Sequence, residues 1–327
     1  MKFTLSFPLE KETLAAYESW EDLQRSLTEL GCAGLEGIWA GEPLPQDLPA
    51  DLITGYHLTF YPDWLDFCRE DHNALRRKFG TLEAAYQFYG GSGPETLLAL
   101  YRADLQRARS LGAEYVVFHV SDVSIEGTYT YRWLHTDEEV IDASVEISNR
   151  LLEGVAPNFD FLVENQWWPG FTFTEPEKTA RLLEGISYAR KGILLDTGHL
   201  MNTCPQLQTQ MEGVRYLHQM LDRHGGLAAY IRGVHLHQSL SGAYVRAHVG
   251  QVPACQAADY VTRFSRNYRH ILNIDQHRPW TEPEIGSLLE RIAPAYVTHE
   301  LAAGTRQQRE QAVRTQKETL EKRGGCP

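Results

Sequence analysis

The sequence lacks the features that mark several common classes of protein. No run of apolar residues approaches the roughly 18 that a membrane span requires, and the first residues, MKFTLSFPLEKE, hold no apolar stretch long enough for a signal peptide. No run of Lys or Arg offers a phosphate-binding patch, and the formal net charge of -12 repels nucleic acids. We therefore expect a cytoplasmic protein that has no membrane partner and for which nucleic acid is an unfavourable partner.

The cysteines do not suggest a disulfide framework. There are five of them, which is an odd number, and no two form a CxxC pair; they stand at positions 32, 68, 204, 255 and 326. This pattern is typical of reduced thiols that pack as small apolar side chains.

Motifs of several enzyme classes are also missing. There is no GxSxG sequence of the serine hydrolases and no Walker loop. The glycine cluster at 90–93 does not follow a predicted strand, so we interpret it as a loop and not as a dinucleotide site. The lysines fall outside the predicted strands, which argues against a barrel aldolase that forms a Schiff base.

What the sequence does contain is a series of short apolar runs. Hydrophobic residues make up 43% of the 327 residues, enough for a large core. Continuous apolar runs are typical of parallel strands that are covered on both faces. The predicted strands are 3–7, 34–39, 52–60, 115–120, 161–165, 192–196, 231–236 and 296–301.

Helical patterns alternate with these strands. The predicted helices are 14–30, 95–111, 137–155, 175–189, 206–223 and 283–292. Eight such repeats without a break in composition predict an α/β fold, a single-domain (β/α)8 TIM barrel over residues 1–305. Two long insertions, 61–93 and 238–281, follow strands three and seven, where loops of a barrel form walls and lids of a site. Residues 306–327 are predicted to be a charged, helical C-terminal tail.

Side chains that bind metals stand at the ends of the later predicted strands. A lone strand-end Asp or His is ordinarily a loop cap or a hydrogen-bonded core residue. Here the pattern recurs from strand to strand, and the strand ends of a barrel converge on one mouth. Several buried carboxylates would repel one another unless a cation lay between them, and mixed His and carboxylate ligands suit Zn, Mn, Co or Fe. The candidates are His57, His119, Glu164, Asp196, His199, His235, His237 and Glu300.

Four short motifs resemble the xylose isomerase-like barrel superfamily, which includes sugar isomerases and epimerases and the endonuclease IV group (AP endonuclease family 2). They are VEN at 163–165, LDTGH at 195–199, VHLHQS at 234–239 and HEL at 299–301, and the likeness extends from strand two to strand eight. The resemblance implies a divalent-metal site whose ligands are Glu164, Asp196, His235 and Glu300. It favours His235 over His237 as the ligand of strand seven.

The resemblance further implies an isomerase or epimerase that acts on a sugar or polyol through an enediolate. Glu164 and Glu300 would be the acid/base pair, and His199 would hydrogen-bond a substrate oxygen. Further candidates for contact with a small-molecule substrate are His237, Trp168, Arg246 and His248. The aromatic segments 129–133 and 167–169 resemble walls around such a substrate; ordinary packing is the alternative.

The sequence keeps other functions open. His57 and His119 resemble the extra histidines with which endonuclease IV holds a second metal, so a metal-dependent hydrolase, lyase or phosphodiesterase is the main alternative. The Asp-x-His that would hold a third zinc is incomplete at 246–248, and the one at Asp275 to His277 lies beyond the expected spacing. A non-catalytic binding barrel is a further alternative. The oligomeric state stays open, with a homo-oligomer among the alternatives.

Overall fold

The computed structural model describes residues 1–253 and 259–324, and residues 323 and 324 by backbone only. Cys255 and Cys326 therefore lie outside the described residues. Eight parallel strands close into a barrel in sequence order, which confirms the predicted TIM barrel. The strands are β1 (Lys2–Leu9), β2 (Gly34–Trp39), β3 (Ile53–His57), β4 (Tyr115–His119), β5 (Asp160–Glu164), β6 (Lys191–Asp196), β7 (Ile231–Leu236) and β8 (Tyr296–His299).

Helices surround the barrel. They are α1 (Lys11–Leu14), α2 (Trp20–Leu30), α3 (Leu65–Cys68), α4 (His72–Phe79), α5 (Leu82–Tyr89), α6 (Pro94–Ser110), α7 (Ile125–Thr130), α8 (Asp137–Leu152), α9 (Pro176–Gly185), α10 (Thr197–Asn202), α11 (Gln210–His224), α12 (Gly242–His248), α13 (Tyr260–Ile274), α14 (Ile285–Ile292) and α15 (Arg306–Gly324), with 3₁₀ turns at Ala50–Leu52 and Gly225–Tyr230. Within the described part of the chain, none of these helices combines the length and apolarity that crossing a bilayer demands.

The prediction of one helix over 14–30 was wrong at its start, because the helix begins at Trp20 and Leu14 is the last residue of a separate short helix, Lys11–Leu14. Ser19 has an extended backbone and its hydroxyl accepts a hydrogen bond from the backbone N–H of Asp22 at 3.3 Å. Such a cap begins a new helix and satisfies one of its free N–H groups. The apolar periodicity continues across the break, so it does not reveal the cap.

The two long insertions pack against each other. The first holds α3, α4 and α5, and the second holds α12 and α13. The ring of Phe79 stacks on that of Tyr260, with centroids 3.9 Å apart, and the Tyr260 hydroxyl donates to Asp63 at 3.3 Å. Lys78 forms buried ion pairs with Asp63 at 2.5 Å and with Asp66 at 2.7 Å. The ion pairs hold the first insertion together, and the contacts of Tyr260 tie the chain that follows β3 to the chain that follows β7.

Helix α15 packs on the outside of the barrel wall. The Gln316 side chain is buried, and its Nε2 donates to the Leu236 carbonyl and to His299 Nδ1, each at 2.8 Å. His299 also stacks on Phe3, with ring centroids 5.4 Å apart. It thus faces the helical layer, on the opposite side of β8 from the barrel interior. The domain division at residue 305 stays a prediction.

The environment of His299 predicts a loss of stability in acid. Burial, helped by the charge of Lys317, lowers the pKa of His299 from 6.5 to about 4. Between these two pH values the unfolded chain binds more protons than the folded one, so stability falls as the pH falls from 6.5 towards 4. At pH 5 we expect a loss of about 2 kcal/mol from this group, measured by urea unfolding at pH 7 and pH 5.

The control is His299→Phe, which keeps an aromatic ring beside Phe3. One amide hydrogen of Gln316 loses its partner at every pH, so the variant should be less stable throughout. Its loss of stability between pH 7 and pH 5 should nevertheless be smaller than that of the wild type. Equal losses in the two proteins would show that His299 titrates normally.

Candidate metal centre

Four predicted ligands lie together at the mouth of the barrel. Glu164 and Asp196 are the last residues of β5 and β6, His235 is next to last in β7, and Glu300 follows β8. One ligand atom from each lies within 4.8 Å of the others. His235 Nδ1 is 2.8 Å from Glu300 Oε2, 3.5 Å from Glu164 Oε1 and 3.6 Å from Asp196 Oδ2. We call these four residues the central group.

A second set of ligand-type residues shares Glu164. His57 Nε2 and His119 Nε2 lie 3.2 Å and 3.0 Å from Glu164 Oε2 and 3.0 Å from each other. The other carboxylate oxygen, Oε1, faces His235 of the central group. The residues His57, His119 and Glu164 are called the histidine group, and the two oxygens of Glu164 therefore face two different groups.

A third set, the outer group, consists of His199, His237, Asp275 and His277. Asp275 Oδ2 lies 3.1 Å from His199 Nε2 and 3.2 Å from His277 Nε2. His237 Nε2 lies 2.8 Å from Asp196 Oδ2, so this group adjoins the central one. Asp275 and His277, which lie beyond the expected spacing in the sequence, are thus brought to the other ligand-type residues.

A short bridge between two chain segments explains this outcome. The backbone N–H of Gln238 donates to the Arg278 carbonyl at 2.8 Å, and that of Arg278 donates to the Gln238 carbonyl at 3.1 Å. The insertion between them leaves the barrel and returns to the end of β7. His277 is held there with a φ of 45°, a conformation that is unusual for a residue other than glycine and that occurs more often at functional sites.

The charges of the cluster balance one another. Burial favours the neutral form of Glu164, yet the charges of His119 and His235 hold its pKa well below the usual range. Burial likewise opposes ionisation of Asp196, and the charges of His199 and His237 hold the pKa of that carboxyl well below its usual range. The buried carboxylates thus require positive charge close by, which protons on the histidines or bound cations can supply.

Several buried polar atoms in the three groups have no hydrogen-bond partner. They are His235 Nδ1, His237 Nδ1, His277 Nε2 and Glu300 Oε2. His235 Nδ1 and Glu300 Oε2 are only 2.8 Å apart, but not in hydrogen-bond geometry. Unpaired buried atoms are costly, and imidazole and carboxylate together are ligands of Zn, Mn, Co or Fe. The residues present therefore fit divalent ions.

Amide side chains that directly follow β5 hold the backbone of the site. Asn165 exchanges two hydrogen bonds with the backbone of Asp196, at 2.8 Å and 3.0 Å. Gln166 Nε2 lies 3.0 Å from His199 Nδ1, and the Asp196 carboxylate caps α10 by accepting from the His199 backbone N–H at 2.6 Å. The VENQ and LDTGH segments are thus locked to each other.

Aromatic side chains flank the centre in two layers. The ring centroid of Trp167 lies 4.9 Å from that of His199, and the ring centroid of Trp168 lies 4.3 Å from that of Trp167. Trp167 therefore lies beside His199 of the outer group, and the contact of Trp168 with substrate stays a prediction. On the other side Phe60, which is 42% exposed, lies 4.2 Å from the ring of His119 and borders the entrance.

Two further predicted substrate contacts, Arg246 and His248, lie on α12 and outside the three ligand groups found among the described residues. Arg246 is an exposed residue of α12 and donates to the Pro205 carbonyl. His248 stacks on Tyr244, with ring centroids 3.9 Å apart. Among the described residues, neither belongs to the three ligand groups, and their contact with substrate stays a prediction.

Comparisons with known proteins agree with this architecture. A family model described as the xylose isomerase-like TIM barrel matches residues 25–321, which confirms the resemblance seen in the sequence. No curated protein matches the chain in sequence.

Solved structures of similar fold include three further barrels. Endonuclease IV from Thermus thermophilus is 16% identical with a TM-score of 0.51, over 98% of this chain and 100% of that chain. A D-tagatose 3-epimerase-like protein is 16% identical with a TM-score of 0.52, over 98% and 97%. The IOLI protein, solved with a zinc atom, is 15% identical with a TM-score of 0.50, over 98% and 97%. These identities show a shared fold alone. Because the family model covers most of the chain, the protein belongs to the xylose isomerase-like TIM barrel family.

Proposed function

We propose that the protein is a metal-dependent hydrolase of small phosphate esters. The observation that carries the proposal is the position of Glu164, whose two oxygens face the central group and the histidine group. Sites in which a carboxylate joins neighbouring metal ions are typical of phosphatases and nucleases. When bound, the ions would polarise a phosphoryl oxygen and provide hydroxide near neutral pH.

The charge of the centre favours an anionic substrate. The three groups contain four carboxylates, those of Glu164, Asp196, Asp275 and Glu300. Three divalent ions would bring six positive charges, so a surplus of positive charge would remain while the histidines are neutral. A phosphate ester neutralises such a surplus, whereas a neutral sugar does not.

The residues of the chain then have separate tasks. Asp275 Oδ2 accepts a hydrogen bond from His199 Nε2 at 3.1 Å and so orients that ring, and it lies 3.2 Å from His277 Nε2. Trp167 covers the His199 side and excludes water. The side chains of Glu300 and His277 are 17% and 19% exposed, more than those of the other residues in the three ligand groups. They therefore face the incoming substrate. The acidic charge of the whole protein favours a small ester over a nucleic acid.

The isomerase or epimerase predicted from the sequence is the second candidate. It is favoured by the central group, which offers four ligands to one ion without help from the other groups. Glu164 Oε1 and Glu300 Oε2 lie 3.5 Å and 2.8 Å from His235 Nδ1, so two carboxylates border the same centre and are available as an acid/base pair. Against it, both oxygens of Glu164 already face histidines, which leaves this carboxylate no free oxygen to act as a base.

Metal counting tests the number of sites. We expect the metal-free protein to bind up to three zinc ions per chain, one for each ligand group. Zinc is the first choice because the IOLI protein was solved with it. His119→Ala removes a ligand from the histidine group alone, so the count by elemental analysis should fall by about one.

The matched control is His248→Ala, which removes an imidazole outside the three groups and should leave the count unchanged. Less than one zinc per chain in the wild type would refute the metal centre. An unchanged count in a folded but inactive His119→Ala protein would assign that histidine to the substrate instead of to a metal.

Activity assays separate the two reactions. With zinc bound, the protein should hydrolyse bis(p-nitrophenyl) phosphate, and Asp275→Asn should lower the rate about 10- to 100-fold because the outer group loses its carboxylate and His199 loses its charged acceptor. Gln276→Ala in the same segment is the control and should keep most of the rate, because Gln276 belongs to none of the ligand groups found in the described part of the chain.

The opposite result has its own signature. An isomerase would place deuterium from heavy water on the carbon next to the carbonyl of a ketose. Glu164→Gln would then reduce that exchange by about 10²–10⁴-fold while the central metal stays bound. Exchange without phosphodiester hydrolysis would overturn the hydrolase proposal. Cleavage of an abasic-site oligonucleotide but not of small esters would show a nucleic-acid substrate.

A further inference from the structure

A fully buried carboxylate lies beneath the central group. Glu36, in the middle of β2, has no exposed surface, and its Oε1 is 2.8 Å from His235 Nε2. Its Oε2 accepts from the Tyr115 hydroxyl at 2.7 Å and from the Thr298 hydroxyl at 3.0 Å. Glu36 belongs to none of the three ligand groups found among the described residues.

The burial of Glu36 requires partners for its negative charge. A buried ionised carboxylate is costly unless it is paired and fully hydrogen-bonded. Two of its partners are hydroxyls whose own contacts fix them: Thr4 Oγ1 lies 2.9 Å from Thr298 Oγ1 and 3.2 Å from Tyr115 Oη. The hydroxyls hold one oxygen of Glu36 in place, so that the other points at His235.

This contact determines which nitrogen of His235 carries a proton. A carboxylate only accepts, so Nε2 must be the protonated nitrogen, and in the neutral ring Nδ1 then offers a lone pair. That Nδ1 is the atom that faces Glu164, Asp196 and Glu300, and it has no hydrogen-bond partner of its own. The geometry thus presents an unshared electron pair to the centre of the group.

We infer that Glu36 is a positioning residue that fixes the tautomer and ring orientation of His235 and strengthens it as a metal ligand. A carboxylate behind a metal-binding histidine commonly has this effect. The inference rests on the metal centre proposed above, but it holds for either reaction, because it concerns how the ligand is presented and not what the centre does to a substrate.

Zinc affinity of a Glu36→Gln variant tests the inference. Glutamine keeps the shape but loses the charge and the obligatory acceptor, so the affinity of the central group should fall about 10- to 100-fold in competition with a chelator. Tyr115→Phe keeps the charge and removes one supporting hydrogen bond, so its affinity should lie between those of the wild type and Glu36→Gln. Asp160→Asn is the matched control, since Asp160 is equally buried but pairs with Arg190 and Arg232. It should change stability without changing zinc affinity.

A second measurement does not depend on how the variant folds. Nitrogen-15 NMR of the histidine rings in the metal-free wild type, recorded at alkaline pH so that the His235 ring is neutral, reports which of its nitrogens is protonated, and we expect the proton on Nε2. A neutral His235 that is protonated at Nδ1, or a folded Glu36→Gln protein with wild-type zinc affinity, would overturn the inference. A wild type that binds no zinc would instead refute the metal centre, and the inference would fall with it.

Discussion

The balance between buried negative charge and the histidines around it is the constraint on which the mouth of this barrel depends. Parallel strands bring their ends together, and with them the carboxylates of Glu164 and Asp196, both of which are almost wholly buried. Neither could remain ionised there without positive neighbours. The histidines of three adjoining groups surround them, so that each carboxylate serves more than one group. The cluster is therefore one electrostatic unit, and its members are not interchangeable with apolar residues.

The fold and the place of the candidate ligands at the barrel mouth could be predicted from local sequence patterns, whereas the choice of the central group among those candidates came from the family resemblance. Each strand appears as an apolar run, and Glu164, Asp196 and His235 stand at or near the ends of such runs, so the topology of a barrel brings them together. The bounds of β2 and β7 agree with the prediction residue for residue. Errors arose where the pattern is silent, as at Ser19, whose cap starts α2 later than predicted without disturbing the apolar periodicity.

The outer group could not be found in this way because it depends on contacts between distant residues. Asp275 and His277 follow two helices of the insertion, and the pairing of Gln238 with Arg278 helps to return them to the end of β7. Distance along the chain carries no information about such a return. Glu36 is different, since a glutamate in the middle of an apolar strand is a visible anomaly that asks for a buried partner. Coordinates are also needed to see that Trp167 is the tryptophan whose ring lies beside His199, because two adjacent identical residues give no sequence signal that distinguishes them.

The pairing of Gln238 with Arg278 has a consequence for how such a protein can change over time. The two hydrogen bonds between these residues close the second insertion at its base. The length and sequence of the segment between them can therefore vary while both of its ends stay fixed. Selection could then replace α12 and α13, the helices of this insertion, and so change which molecules are accepted, without displacing Asp275 or His277. The residues that carry the chemistry and those that determine substrate selectivity would then evolve separately, and the paired Gln238 and Arg278 would mark the boundary for any exchange of segments between relatives.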